Sequence, residues 1–363
     1  MVGTAFYNIF IPEKKFEYVV MPMFAFGTSN LAGGGKLTYH SYPANSFIQK
    51  ITWSAGVQSY SYATDQYEPL DQSFHYSSTL QFSKLDSRIA FLFRQKNPVG
   101  KIRSTILFRN VVINRDMPYF FSYRPSTFEN QFYELSYNRE NSNKLFPSDF
   151  NLSLRASNVL VKASLERKYK ITYDDISKGL DIRIFGGYNL YRSTYTKGID
   201  YHLQLSGNST ALDDRITKVF LNEYMFDEVF LGRTEYKGIL SRQFIANDGG
   251  FKVPTFLFRE ADRWMVAVNL KTSVPGILPL KLFADIGTFD HAADLTGGSA
   301  ISFDAGIELD VIKDIFTIYF PLAYSDDIKF VVDKEELNFG DLIRFELHLN
   351  KLNPITLIKQ LDF

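Results

Sequence analysis

The chain contains no cysteine. A structural disulfide, a thiolate nucleophile and a thiolate metal site are therefore excluded. Tryptophan is scarce, with two residues in 363, although 34 Phe and 22 Tyr make aromatics plentiful as a class. Neither sign of charge is in excess, since Lys+Arg and Asp+Glu both number 40. With zero net charge and no basic block, nucleic-acid binding is excluded as the main task. No run of about 18 apolar residues occurs, so no helix crosses a bilayer. Met1 leads into VGTAFYNIF without a charged n-region or an apolar h-region, so no export signal is legible and the expectation is a piece of a longer precursor. Internal repeats, low-complexity stretches and Pro/Ser-rich linkers are missing as well.

What remains is alternation with a period of two. In 159–171, Val159, Val161, Ala163, Leu165, Tyr169 and Ile171 share one face, with Arg167 the exception, and Lys162, Ser164, Glu166, Lys168 and Lys170 share the other. Ile301, Phe303, Ile307, Leu309 and Val311 oppose Ser302, Asp304, Glu308 and Asp310. Ile343, Phe345, Leu347 and Leu349 oppose Arg344, Glu346, His348 and Asn350. Many such segments run about 10–14 residues, the length a tilted strand needs to cross a bilayer, whereas soluble strands average about 5–6.

The pattern predicts an all-β chain, a transmembrane antiparallel β-barrel of about sixteen strands with a long inward-folded loop. The expected strands are 15–27, 34–43, 46–62, 72–84, 87–96, 101–114, 129–138, 148–156, 158–172, 180–193, 198–207, 262–274, 279–290, 299–311, 314–323 and 341–350. Residues 1–14 read as an extra strand or linker, 15–350 as the barrel, 208–261 as the long loop and 351–363 as a tail. Asp86-Ser87 and Lys313-Asp314 read as short turns on one side, while 63–71, 139–147, 291–298 and 324–340 read as longer loops on the other. Residues 115–128 are too long for the short-turn side on which this scheme places them. Phe16, Tyr18, Trp53, Tyr60, Tyr62, Phe316, Tyr319 and Phe320 are expected in the interfacial aromatic belts.

Residues 230–238 read FLGRTEYKG. This resembles the lumen-inserted loop of the bacterial surface-antigen (BamA-type) superfamily, whose pattern is Leu-Gly-Gly and, after a few residues, Arg-Gly-aromatic. Here Arg233 stands for the second Gly, Lys237 for the Arg and Ile239 for the aromatic. Phe283-Ala284-Asp285-Ile286-Gly287 resembles that superfamily's Phe-x-Asp-x-Gly strand. The resemblance implies a loop cation meeting this aspartate in the lumen. Arg233 or Lys237, with Arg242 as a further loop cation, is therefore expected against Asp285. The segment NDGGFK at 247–252 and the C-terminal HLNKLNPITLIKQLDF further resemble the barrel that follows gluzincin-type aminopeptidase domains in Bacteroidetes proteins.

No catalytic motif is present. His40, His75, His202, His291 and His348 form no H-E-x-x-H, and neither a G-x-S-x-G elbow nor a phosphate loop occurs. Gly33-Gly34-Gly35 reads as a turn. No metal site and no cofactor are expected. Asp304, Glu308, Asp310, Arg344 and Glu346 read as charges of the lumen wall. The expected role is non-enzymatic: a bacterial outer-membrane barrel that anchors, or serves as exit channel for, a periplasmic module absent from this chain. The alternatives are a polypeptide insertion or translocation barrel and a passive pore. The expected partners are outer-membrane lipid and either a fused periplasmic peptidase domain or a polypeptide substrate.

Overall fold

The computed structural model describes residues 2–9, 12–26, 29–67, 76–95, 97, 100–117, 126–173, 178–193, 201–209, 224–233, 238–254, 260–276, 278–295, 299–313 and 315–348. Sixteen strand segments form one antiparallel sheet. Its first part comprises β1 (Val2–Gly3), β2 (Phe6–Tyr7), β3 (Phe16–Ala25), β4 (Asn30–Ser41), β5 (Ile48–Tyr67) and β6 (Tyr76–Phe93). It continues through β7 (Ile102–Met117), β8 (Ser126–Asn141), β9 (Ser148–Ala156), β10 (Leu160–Thr172) and β11 (Gly179–Arg192). Four short segments follow off this sheet: β12 (Leu203–Gln204), β13 (Asn208–Ser209), β14 (Phe244–Ile245) and β15 (Glu260–Ala261). The sheet resumes with β16 (Trp264–Ser273), β17 (Leu280–Phe289), β18 (Ser302–Ile312), β19 (Phe316–Tyr324) and β20 (Arg344–Leu347). Neighbours in sequence are neighbours in the sheet throughout. β1 and β2 share one register against β3, with Val2 opposite Phe24 and Phe6 opposite Val20, and so occupy a single edge position.

The alternation becomes two faces. On β17, Leu282 and Ile286 are exposed while Phe283, Asp285 and Phe289 are buried; on β16, Val266 is exposed while Met265, Ala267 and Asn269 are buried. Backbone twist curls such a sheet, and closing it removes exposed edges. Curling is evident because one insertion touches walls far apart in the sheet, from Gln58 on β5 to Phe345 on β20.

Three elements depart from the sequence reading. The expected strands 72–84 and 87–96 are one strand, β6, and Asp86-Ser87 lies within it. Lys84, Asp86 and Arg88 project from its inner face into an ion-pair network, so a charged stretch that looks like a turn is an inward row. With that turn gone, residues 142–147 fall on the short-turn side, and 118–125 lie outside the described residues. Within the expected strand 198–207, the described residues 201–207 are not in the barrel wall, since Leu203–Gln204 pairs with Glu260–Ala261 inside it. Gly33-Gly34-Gly35 sits in β4, paired with Pro22, Met21 and Val20.

β5 through β8 run 20, 18, 16 and 16 residues, well beyond the roughly 9–11 that span a bilayer. Their excess extends toward the long loops, where the facing rule inverts. Outward Ser83, Asn114, Glu129 and Gln131 are exposed, while inward Phe82, Val111, Ile113 and Phe132 are buried. Above the lipid, water meets the outside and the in-folded loop dries the inside. Tyr62 and Tyr319 also point inward and are buried, whereas Phe16 and Trp53 are exposed in the outer belt.

Candidate functional site: a loop tip seated in the lumen

The insertion between β11 and β16 crosses the lumen and attaches to both walls. Its first attachment is Tyr224–Asp227. Phe226 adopts a left-handed backbone, with φ of 48°. Its ring stacks on Phe82 at 3.9 Å between centroids, and its carbonyl accepts from Lys84 Nζ at 3.1 Å and Gln58 Nε2 at 3.2 Å. Asp227 accepts from Arg109 Nη1 at 2.8 Å and Lys84 Nζ at 2.5 Å. Arg109 also holds Asp86, and Arg155 joins Glu134 to the Tyr224 hydroxyl. Tyr224, Met225 and Phe226 pack with Tyr62, Leu80, Val111, Ile113 and Phe132 of the wall.

Burial pushes the Asp227 carboxyl up, but the hydrogen bonds and charge of Arg109, joined by Lys84, more than reverse this and hold it below the usual carboxylate range. A carboxyl lowered on folding stabilises the seated loop above its unfolded pKa of about 3.9, and that contribution is lost as pH falls through the folded value. Asp227→Asn is therefore expected to melt lower than the parent at pH 7 and at pH 5, with the gap beginning to narrow only at pH 3. Thermal melts in detergent at the three pH values check this.

The second attachment is the segment Asn247–Lys252. Asp248, with φ of 41°, accepts from Lys162 Nζ on β10 at 2.7 Å and from Gln204 N at 3.2 Å. Lys252 is buried. Its Nζ lies 3.1 Å from Asp285 Oδ2 and 2.6 Å from the Gly250 carbonyl. The rings of Phe244, Phe283 and Tyr319 surround the ammonium at 5.1, 5.6 and 5.3 Å, close enough for cation–π attraction. Asn269 Nδ2 donates to Asp285 Oδ1 and to the Gly249 carbonyl, both at 2.9 Å. Asp304, directly across the sheet from Asp285, accepts the backbone N–H of Lys252 and of Val253, each at 2.8 Å. Arg344 Nη1 reaches Ser206 Oγ at 3.0 Å and the Lys252 carbonyl at 3.3 Å.

The loop cation that meets Asp285 is thus Lys252. Arg233, expected there, lies over the rings of Phe230 and Phe226 and donates to the Glu228 carbonyl. Arg242 pairs instead with Asp341 at 2.8 Å. Lys237 lies outside the described residues. The cause is register along the loop. The turn with Gly250 at φ of 71° sits in NDGGFK and brings Lys252 to the wall, while FLGRTEYKG lies upstream of that tip. The remaining wall charges are brought together. Glu308 pairs with Lys271 at 2.8 Å and Lys281 at 3.0 Å, Asp310 with Lys281 at 2.7 Å, and Glu346 accepts from the Tyr319 hydroxyl at 2.6 Å. Sequence reasoning missed Lys252, Asp248, Lys162 and Asn269 on this side, and Asp227, Lys84 and Arg109 on the other.

A second plug element closes the long-loop end. The helix Asp326–Lys334 buries Ile328, Val331 and Val332, two of which pack with Leu203, Leu205, Phe251 and Phe289. Below the tip, toward the short turns, lies a cavity of about 780 Å³, lined by Lys168, Arg183, Lys252, Lys271, Lys281 and Glu346 among others.

The sheet closes imperfectly. Among the described residues, no strand pairs with the outer edge of β1 and β2. Thr4 N and Asn8 N donate to the Pro22 and Tyr18 carbonyls of β3. By antiparallel alternation, the N–H groups of Ala5 and Tyr7 face away from β3, toward that edge. β20 turns inward. Phe345 forms a parallel bridge with Gln243 of the loop and is buried, where alternation alone predicts an outward side chain.

The fold and site therefore define a plugged antiparallel β-barrel whose first edge is unpaired among the described residues. No protein-family model matches the chain, and no curated protein matches it. Among solved structures it is similar to BamA from Haemophilus ducreyi lacking POTRA domains 1–3, at 11% identity and a TM-score of 0.42, covering 88% of this chain and 65% of that one. It is also similar to CdiB from Escherichia coli, at 10% identity and a TM-score of 0.40, covering 89% and 59%. The copper transporter OprC is a further match, at 10% identity and a TM-score of 0.30, covering 84% and 47%. The chain thus spans less than two thirds of each of these proteins.

Proposed function

We propose that this chain is a bacterial outer-membrane barrel that handles polypeptide at its open first-strand edge, in the manner of an insertion or translocation barrel. The observation that carries the reading is the outer edge of β1 and β2, with which no strand among the described residues pairs. An extended peptide adds to such an edge through main-chain hydrogen bonds. On this reading the apolar outer face sits in lipid and the edge with it, where an unsatisfied backbone group costs several kcal/mol and a partner strand is correspondingly favoured. The seated loop and the helix over the mouth argue against a passive pore.

Ala5→Pro and Tyr7→Pro test the reading, because each removes an edge-facing N–H and leaves the ladder to β3 intact. The wild-type chain, reconstituted in liposomes, is expected to accelerate folding of a urea-unfolded outer-membrane barrel several-fold. The proline variants are expected to lose that acceleration while keeping their own heat-modifiable mobility. No acceleration by wild type, or proline variants that match it, would reject the proposal.

The anchoring role implied by the resemblance to peptidase-linked barrels is a second reading. It rests on NDGGFK, whose residues form the seated tip. An H-E-x-x-H encoded immediately upstream of Met1 would favour it.

A further inference from the structure

Glu13, Glu17 and His40 meet inside the barrel at the short-turn rim, far from the loop tip. We propose that they form a binding site for a divalent transition metal of the Zn²⁺ class. One carboxylate oxygen from each glutamate and a ring nitrogen of His40 all lie within 4.8 Å of one another. His40 Nε2 is 3.2 Å from Glu13 Oε1 and 3.6 Å from Glu17 Oε2. Two ligands each about 2.0–2.1 Å from a tetrahedral zinc sit about 3.4 Å apart, and the two separations bracket that spacing.

The histidine is prepared as a ligand. Its side chain is only 5% exposed, and Nε2 makes no hydrogen bond. A buried ring nitrogen that lies this close to two carboxylates yet makes no hydrogen bond calls for an explanation. The other ring nitrogen, Nδ1, lies 3.2 Å from Thr52 Oγ1. An Nδ1–H donated to that hydroxyl fixes the tautomer and leaves the Nε2 lone pair facing the glutamates, as outer partners do for ligating histidines. The ligands come from three places: the segment before β3, β3 itself and β4, with Thr52 on β5. No sequence spacing reveals such a set, which is why the histidines gave no metal signal. One nitrogen and two carboxylates leave a fourth position for water and suit zinc better than calcium or magnesium, which take six or more oxygens or keep several waters.

The other groups facing the cluster are Lys50, Tyr42 and the Lys14 backbone. Lys50 Nζ holds both Glu13 oxygens at 2.6 and 2.8 Å, the Tyr42 hydroxyl donates to Glu13 at 2.7 Å, and Lys14 N donates to Glu17 at 3.3 Å. Lys50 is thus a built-in competitor, a monovalent cation on the outer side of Glu13 that the metal displaces from at least one oxygen. Once bound, the ion joins the segment before β3 to β3 and β4, next to the strand position that carries the open edge. This holds whatever the edge does.

The test uses the full chain in detergent, stripped with a chelator and titrated with Zn²⁺ by calorimetry, and with Co²⁺ by visible absorption. One ion per chain is expected, with the intense bands of tetrahedral cobalt. His40→Gln and Glu17→Gln are each expected to weaken binding about tenfold or more, and Lys50→Gln to tighten it several-fold. Absence of stoichiometric binding, or binding unchanged in His40→Gln, overturns the proposal. Should His40→Gln fail to fold, Lys50→Gln decides, because an affinity that does not rise overturns it equally.

Discussion

Lys252→Met is expected to unseat the loop and convert a closed or flickering lumen into one of sustained conductance. The side chain is nearly isosteric, so the aromatic cage of Phe244, Phe283 and Tyr319 keeps its volume. What changes is charge. Asp285 and Asp304 face each other across adjacent strands, both fully buried, and like charges directly opposite destabilise a sheet. Lys252 supplies the ammonium to one and its backbone N–H to the other. Removing one partner of a buried pair costs about 3–5 kcal/mol, because the remaining charge stays desolvated. That shifts the seating equilibrium by a factor of roughly 10² to 10⁴. Planar-bilayer recordings read the opening, and urea unfolding reads the stability. The double variant Lys252→Met/Asp285→Asn is expected to recover part of the loss, since one of the facing carboxylates is then neutral. A single variant as closed and as stable as the parent would show that the pair does not hold the tip.

Asp285 was legible in the sequence and Lys252 was not, and the difference is physical. A strand has a period, so alternation with Leu282 and Ile286 fixes which way Asp285 points. A loop has none, so which of its cations reaches the wall depends on where the chain turns. The turn that brings a cation to Asp285 lies at Gly249-Gly250, in the segment NDGGFK. Alternation separates two faces but does not say what each face meets. Leu203 and Leu205 alternate with Gln204 and Ser206 as a wall strand would, yet both leucines are buried inside the barrel. Along β7 the same rule changes meaning, with apolar Phe108 exposed toward lipid but Val111 and Ile113 buried against the loop. The row Lys84, Asp86 and Arg88 lost its strand in the reading because a dense charge cluster resembles a turn until its counter-ions are in place. Those counter-ions include Asp227, about 140 residues further along the chain. The burial of Phe345 on β20 accompanies a bridge to Gln243, another contact from the loop that no local pattern announces.

Gly249→Val tests the same seat by steric means. A Cβ built on Gly249 falls 2.4 Å from the Leu205 carbonyl oxygen and 2.7 Å from its Cα. Both are backbone atoms, so no rotamer change relieves the clash. The Gly249 N–H also donates to Gln204 and its carbonyl accepts from Asn269, each at 2.9 Å, so displacing the residue breaks the tip's bonds on both sides. Overpacking of this kind costs about 3 kcal/mol or more where backbone must move. Gly186→Ala is the control, since its Cβ meets nothing within 4 Å; it is expected to leave conductance and stability unchanged. If charge and shape act on one seating event, Gly249→Val combined with Lys252→Met opens the lumen no further than either change alone. The free energies of the two substitutions then fail to add, as expected for groups sharing one contact. Full additivity, or a Gly249→Val channel as quiet as Gly186→Ala, would mean that the tip is not the element that closes the barrel. In that case the helix Asp326–Lys334 over the mouth would have to do so.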